Sequence, residues 1–268
     1  MKRRRALAGL CVVVPLAAAR CASQSGAPET SAAHGAEPPA QVSRFAGDSA
    51  DLAGWRARRD ASVARLEHGG GAEWLAAARA SRNVALALGS SEERGRELAR
   101  AESWARGALE SAPADPAARY LVARILLDRY RVGATGGEVL AEARRLLASV
   151  VAADRAFGSG AALAALAETY ALAGGGRADA PELERAAAYF EAALDVDPSL
   201  LDARLEYAER VLLPWRDRVT ATEHLRACAE QPLAPDPDRT RFADDDRAQR
   251  RCAELVRAPD TTPGTALR

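Results

Sequence analysis

The sequence predicts an all-α protein, an array of about ten helices joined in consecutive hairpins. Two features of composition and one of pattern lead there. The chain is 48% hydrophobic but only 5% aromatic, so its core must be filled mainly by Ala, Leu and Val. Ala and Leu lead the helix propensities, whereas strands favour β-branched and aromatic residues. Small residues also recur at helical spacing in separate stretches that share a phase, which is the signature of a repeat. At 268 residues the chain is long enough to bury a core without help from a partner.

From the N-terminus, "MKRRRALAGLCVVVPLAAARCASQ" opens with four basic residues, Lys2 to Arg5, followed by an apolar run from Ala6 to Ala19. The run is shorter than the ~20 apolar residues a membrane-spanning helix needs, and it fits the apolar region of a secretory signal. The reading is an exported, periplasmic protein. Cys21, directly after the run, resembles the lipid-modified cysteine of a bacterial lipoprotein, which would anchor the chain to the outer membrane without spanning it. Arg20 stands where that signal has a small residue, and Ala17-Ala18-Ala19 offers the alternative of ordinary cleavage after Ala19 and a soluble product. Cleavage before Cys21 removes five of the 37 basic residues, leaving 32 against 37 acidic ones, a net charge of −5. A nucleic-acid role would need a net-basic face, and the balanced charges of this chain read instead as solvated helix surface, so no nucleic-acid partner is expected. The expected organisation is a signal peptide at 1–20, a Ser/Ala/Gly/Pro-rich tether at 21–44, a helical domain at 45–257 and a tail at 258–268.

Within the domain, periodicity and capping signals place helices near 48–67, 73–88, 91–111, 116–131, 137–153, 159–173, 181–195, 199–213, 217–231 and 241–257. Ser90-Ser91-Glu92-Glu93 reads as a capping box, and Asp115-Pro116 as a cap followed by a first-turn proline. In "ERAAAYFEAALDVDPSLLDARLEYAE", Ala186, Phe190 and Ala193 share one helix face and Pro198 follows. Small residues at two such places let two helices approach closely, and the proline sets the turn, as in a tetratricopeptide repeat. The phase returns as Ala101, Ala105, Ala108 and Pro113, and again as Ala143, Leu147 and Val150, with Arg155 at the proline place. Each copy is followed by a first-helix pattern: Val122, Ala123 and Leu126; Leu166, Ala167 and Tyr170; Tyr207, Ala208 and Val211. These patterns lie 44 and 41 residues apart, longer than the regular ~34-residue spacing, because "RVGATGGEV" and "LAGGGRADAPEL" lengthen the turns.

The stretch "RAAAYFEAALDVDPSLLDARLEYAERVLLPWRDR" and the terminal helix "FADDDRAQRRCAELV" resemble the tetratricopeptide lipoproteins that form the T component of tripartite ATP-independent periplasmic (TRAP) transporters. The resemblance covers about the last third of the chain. It implies a membrane-tethered, trimeric helical scaffold that cooperates with a transporter's substrate-binding subunit. A small-molecule-binding helical protein and a cell-envelope assembly adaptor are the other readings the pattern allows.

A tetratricopeptide scaffold works through the face lined by the first helix of each pair. The phase puts Tyr120, Arg124, Glu168, Asp202, Leu205 and Glu209 there, as an exposed surface for a protein partner. Trp74, Trp104 and Tyr170 are expected in the core. His224 and Cys228 sit four apart on one helix, with Cys252 on the next, but no fourth metal ligand is evident. A Cys228–Cys252 disulfide suits an exported chain. Its obstacle is a height difference of about eight residues, or ~12 Å at the α-helical rise, which requires the 232–240 connection to run back along the helices. The acids Asp244 to Asp246 suit a first helical turn. No catalytic or phosphate-binding motif is present, so the expectation is a non-enzyme without cofactor or metal.

Overall fold

A computed structural model describes residues 49–66, 69–233 and 242–258, and every described segment is helical or turn. The elements are α1 (Ser49–Val63), α2 (Gly71–Ala87), α3 (Ser91–Ser111), α4 (Pro116–Arg131), α5 (Gly137–Ala153), α6 (Ala161–Gly174), α7 (Pro181–Val196), α8 (Leu201–Tyr207), a π-helical turn (Ala208–Leu212), α9 (Arg218–Glu230) and α10 (Phe242–Arg257). The signal peptide, the lipidation site Cys21 and the tether predicted from sequence lie outside the described residues, as does the tail beyond Ala258.

The starts of the helices follow from local chemistry. The Ser90 hydroxyl accepts from the Glu93 amide to cap α3, Asp115 accepts from the Ala117 amide ahead of Pro116 in α4, and Asp217 accepts from the Thr220 amide to cap α9. Gly160, at φ +86°, turns the chain into α6, and a Cβ there would stand 2.9 Å from the Ala193 carbonyl oxygen. Only glycine fits both demands.

The array is a run of hairpins, α2 with α3, α4 with α5, α6 with α7, and α8 with α9, while α1 packs on α2. Their joints are the residues in repeat phase. Ala101, Ala105 and Ala108 of α3, Ala143, Leu147 and Val150 of α5, and Ala186, Phe190 and Ala193 of α7 are all essentially without solvent exposure. The first helices meet along the inner side, α2 with α4, α4 with α6, and α6 with α8. This is a tetratricopeptide-like helical array, established by its own hairpins and their buried seams.

Two features depart from expectation. The helix predicted over 199–213 is α-helical only to Tyr207 and continues as the π turn, in which the Leu213 amide donates to the Ala208 carbonyl at 3.0 Å. Pro214 supplies the reason: it has no N–H, and its ring opposes the carbonyl four residues back, so the preceding turn widens. Trp74, Trp104 and Tyr170 are half-buried rather than core. Trp74 lies over Gly107, where a Cβ would come within 1.8 Å of its ring, and Tyr170 stacks on Tyr189 with the Arg144 guanidinium 4.2 Å from its ring centre. Aromatics here seal the outside of an alanine seam that is too narrow to admit them.

Candidate functional site

The inner side of the first helices carries a continuous ionic network. On α2, the Arg82 Nε donates to Asp128 of α4 at 2.6 Å, and its two Nη atoms grip both oxygens of Asp244 of α10, each at 2.8 Å. On α4, Arg124 reaches Glu168 of α6 and Asp202 of α8, each at 3.2 Å, and Asp244 at 3.3 Å. About two turns further along, Arg131 bridges Asp128, Glu168 at 2.7 Å and Glu206 at 2.5 Å. Arg210 also pairs with Glu206, Arg247 of α10 with Asp202 at 2.8 Å, and Arg251 of α10 with Glu209 at 2.9 Å.

Burial makes this network consequential, because an ion taken from water is tolerated only with partners in place. Burial alone would raise the Asp244 carboxyl, yet Arg82 and Arg124 hold it far below the usual carboxylate range. Glu206, also buried, is lowered to about 2 by Arg131 and Arg210. Glu168 goes the other way: burial raises it and the neighbouring Glu206 charge adds to that, against the pull of Arg131 and Arg124. The network therefore holds one reluctant anion among several firm ones.

Of the six residues expected on an open partner face, the structure brings Arg124, Glu168 and Asp202 into one ionic cluster. Arg124, Glu168 and Leu205 are 3%, 1% and 3% exposed, so the predicted exposure is not found. The physical reason is α10. It packs on α8 and α9 and crosses to α2, where Ala243 joins Leu52, Trp55, Val84 and Leu88. Tyr120 sits tilted against Phe157 at 5.5 Å, and Glu209 pairs with α10. Sequence reasoning missed Arg82, Asp128, Arg131, Glu206 and Asp244.

Cys228 and Cys252 form a disulfide with their Cα atoms 6.0 Å apart. The Gln249 side-chain amide donates to the Gln231 carbonyl, three residues on from each cysteine in opposite directions, so α9 and α10 run antiparallel. The height difference is therefore real. It is met by α10 beginning about two turns beyond the end of α9, and that overhang carries Asp244 to Arg82 and Arg124. His224 stands edge-on to Tyr207 at 5.1 Å and near Arg204, with its imidazole lowered by burial and then by Arg204. Among the described residues no group of three or more His, Cys, Asp or Glu side chains is placed to hold a metal ion.

Beside the network, a cleft of about 460 Å³ opens between α4, α6, α8 and α10, with Tyr130, Leu172 and Leu205 as its apolar lining and Arg210, Arg247 and Arg251 among its charged groups. The π turn places Glu209 and Arg210, adjacent in sequence, in the same cleft wall. No helix among the described residues is long and apolar enough to cross a membrane.

No protein-family model and no curated protein matches the chain. Among solved structures, one described as "MamA RS-1 ArsTM double mutant" is similar over 74% of this chain and 95% of that chain, at 21% identity and a TM-score of 0.37. A likeness of that size adds nothing to the hairpin geometry above.

Proposed function

We propose that the protein is an exported scaffold, tethered to the membrane by lipid on Cys21, whose tetratricopeptide-like array binds a protein partner. The observation that carries this reading is the array itself: α2, α4, α6 and α8 packed in succession along one charged inner side that α10 covers, the architecture of a helical-repeat scaffold. The T-component resemblance specifies the partner as the substrate-binding subunit of a TRAP-type transporter, and no reaction is assigned to the chain. The tether is tested by fractionation and intact-mass measurement. Wild type should sediment with membranes and carry the added lipid mass, and a Cys21→Ala chain that still sedimented without lipid would sink the anchor. The partner is tested by crosslinked capture from membranes, with recovery of transporter subunits expected and recovery of unrelated envelope-assembly proteins counting for an adaptor.

The cleft supports a second reading, a small-molecule binder, because its volume lies in the range of ligand sites and it combines an apolar wall with guanidiniums. Blocking the wall with Leu205→Trp separates the two. Loss of small-molecule retention with partner capture unchanged would favour the cleft as the working site.

A further inference from the structure

We propose that the first turn of α10 is a displaceable plug, occupying on the inner groove the place that an acidic segment of a protein partner takes when it lifts. The inference rests on the scaffold reading above and specifies the partner's chemistry.

Two different kinds of contact hold α10. From Ala248 onward it is fixed: Ala248 and Cys252 are fully buried against α8 and α9, and Cys252 is bonded to Cys228. Its first turn reaches α2 and α4 through ion pairs, Asp244 to Arg82 and Arg124, with the small side chain of Ala243 beside Trp55 and Leu88, before Arg247 ties the second turn to Asp202 of α8. Covalent and apolar contacts are not handed over to another anion, but a carboxylate on a guanidinium is. α10 can therefore lift at its first turn while the helix from Ala248 onward stays pinned.

What the lifted plug leaves behind defines the replacement. Arg82 Nη1 and Nη2 donate to Asp244, while Asp128 engages only Nε. Without Asp244 the two-pronged end of a guanidinium that is 4% exposed is left facing the opening, beside Arg124, which retains Glu168 and Asp202. A buried guanidinium fork is costly to leave empty and matches one carboxylate in a bidentate pair. The partner segment is thus a small apolar residue followed by Asp or Glu, the order Ala243-Asp244 shows within the chain itself.

The experiment uses the full oxidised chain, an Asp244→Arg variant, an Asp244→Asn variant, and as probe a labelled, end-blocked synthetic peptide of residues 242–250, FADDDRAQR. In Asp244→Arg, hydrogen exchange at residues 246–248, whose amides donate to the first-turn carbonyls, should accelerate at least tenfold, with α3 to α7 and the Cys228–Cys252 region unchanged. Asp244→Asn should show the same change by a smaller factor. The peptide should bind the Asp244→Arg chain at least tenfold more tightly than wild type, whose own plug competes, and a peptide carrying Asp244→Arg should not bind. Exchange that accelerates through α3 to α7 in both variants, or a peptide that binds no better to the variant, would overturn the plug. Capture from membranes decides the scaffold reading separately: if neither wild type nor variant retains a partner, that reading fails while the peptide result still stands for or against the plug.

Discussion

At Arg124 three carboxylates from three helices meet one guanidinium, which is 3% exposed. Removing the cation leaves Glu168 to Arg131, Asp202 to Arg247 and Asp244 to Arg82 alone, so the cluster loses one buried positive charge, and breaking a buried pair costs about 3–5 kcal/mol. Arg124→Met, which keeps most of the side-chain volume, should lower the urea unfolding free energy by about that much. Glu168→Gln should cost far less, because burial already disfavours its charge. Equal losses for the two would contradict the assigned network. A second residue-scale prediction concerns Gly107, one turn before the end of α3. Helix propensity alone favours Ala there by about 1 kcal/mol, but its Cβ would come 1.8 Å from the Trp74 ring. The ring must move, so Gly107→Ala should destabilise by about 1–3 kcal/mol, and Gly107→Ala with Trp74→Leu should recover much of the loss. At this scale the sequence shows more than was first drawn from it. Arg124, Glu168 and Glu209 each follow a small residue of the first-helix pattern, Ala123, Ala167 and Ala208, and Arg82 follows Ser81 in the same way in α2. Extending the phase to α2 would have found Arg82. Nothing in the phase announces Asp244, whose role depends on where a different helix lands.

The helices themselves were legible because each needs only local signals: alanine periodicity, Ser90 and Asp115 as caps, proline at the start of α4 and α7. The break of α8 into a π turn was not, since its cause, Pro214, lies beyond the residues it distorts. The placement of α10 also escaped, because an amphipathic terminal helix reads alike whether it ends an array or folds across it. The Cys228–Cys252 bond pins that choice. Closing a loop with a sequence separation of 24 residues should contribute about 3 kcal/mol by restricting the unfolded chain. Replacing both cysteines by serine should lower Tm by roughly 6–12 °C for a domain of this size. The loss should come with faster exchange in α10 and no change at the α4–α5 and α6–α7 seams. A melting temperature equal to wild type would show that the bond adds nothing beyond the packing around it.

For the whole molecule, an inner side closed by ion pairs makes stability a function of pH. Glu206 is lowered from 4.5 to about 2, and Asp244 and Asp128 are lowered by the guanidiniums around them, so folding favours their charged forms. Each such carboxylate stabilises the fold above its unfolded pKa and loses that contribution as pH falls through its folded value. Glu168 has the opposite sign: its raised carboxyl costs stability once ionised and returns it on protonation, offsetting a part of the acid loss. With three groups lowered and one raised within the network, the balance is acid lability. The urea midpoint should be nearly level from pH 8 to pH 6 and fall steeply between about pH 4.5 and pH 2, with Glu206 alone accounting for about 3 kcal/mol. Glu206→Gln should start less stable at pH 7 and show a shallower fall over that window. Because α10 enters the network through Asp244, its amides should lose protection at a higher pH than those of the α6–α7 seam, whose Phe190 and flanking alanines carry no charge. Simultaneous loss of protection in α10 and in that seam at every acidic pH would show that the inner side opens only with the whole array, and not from α10 inward.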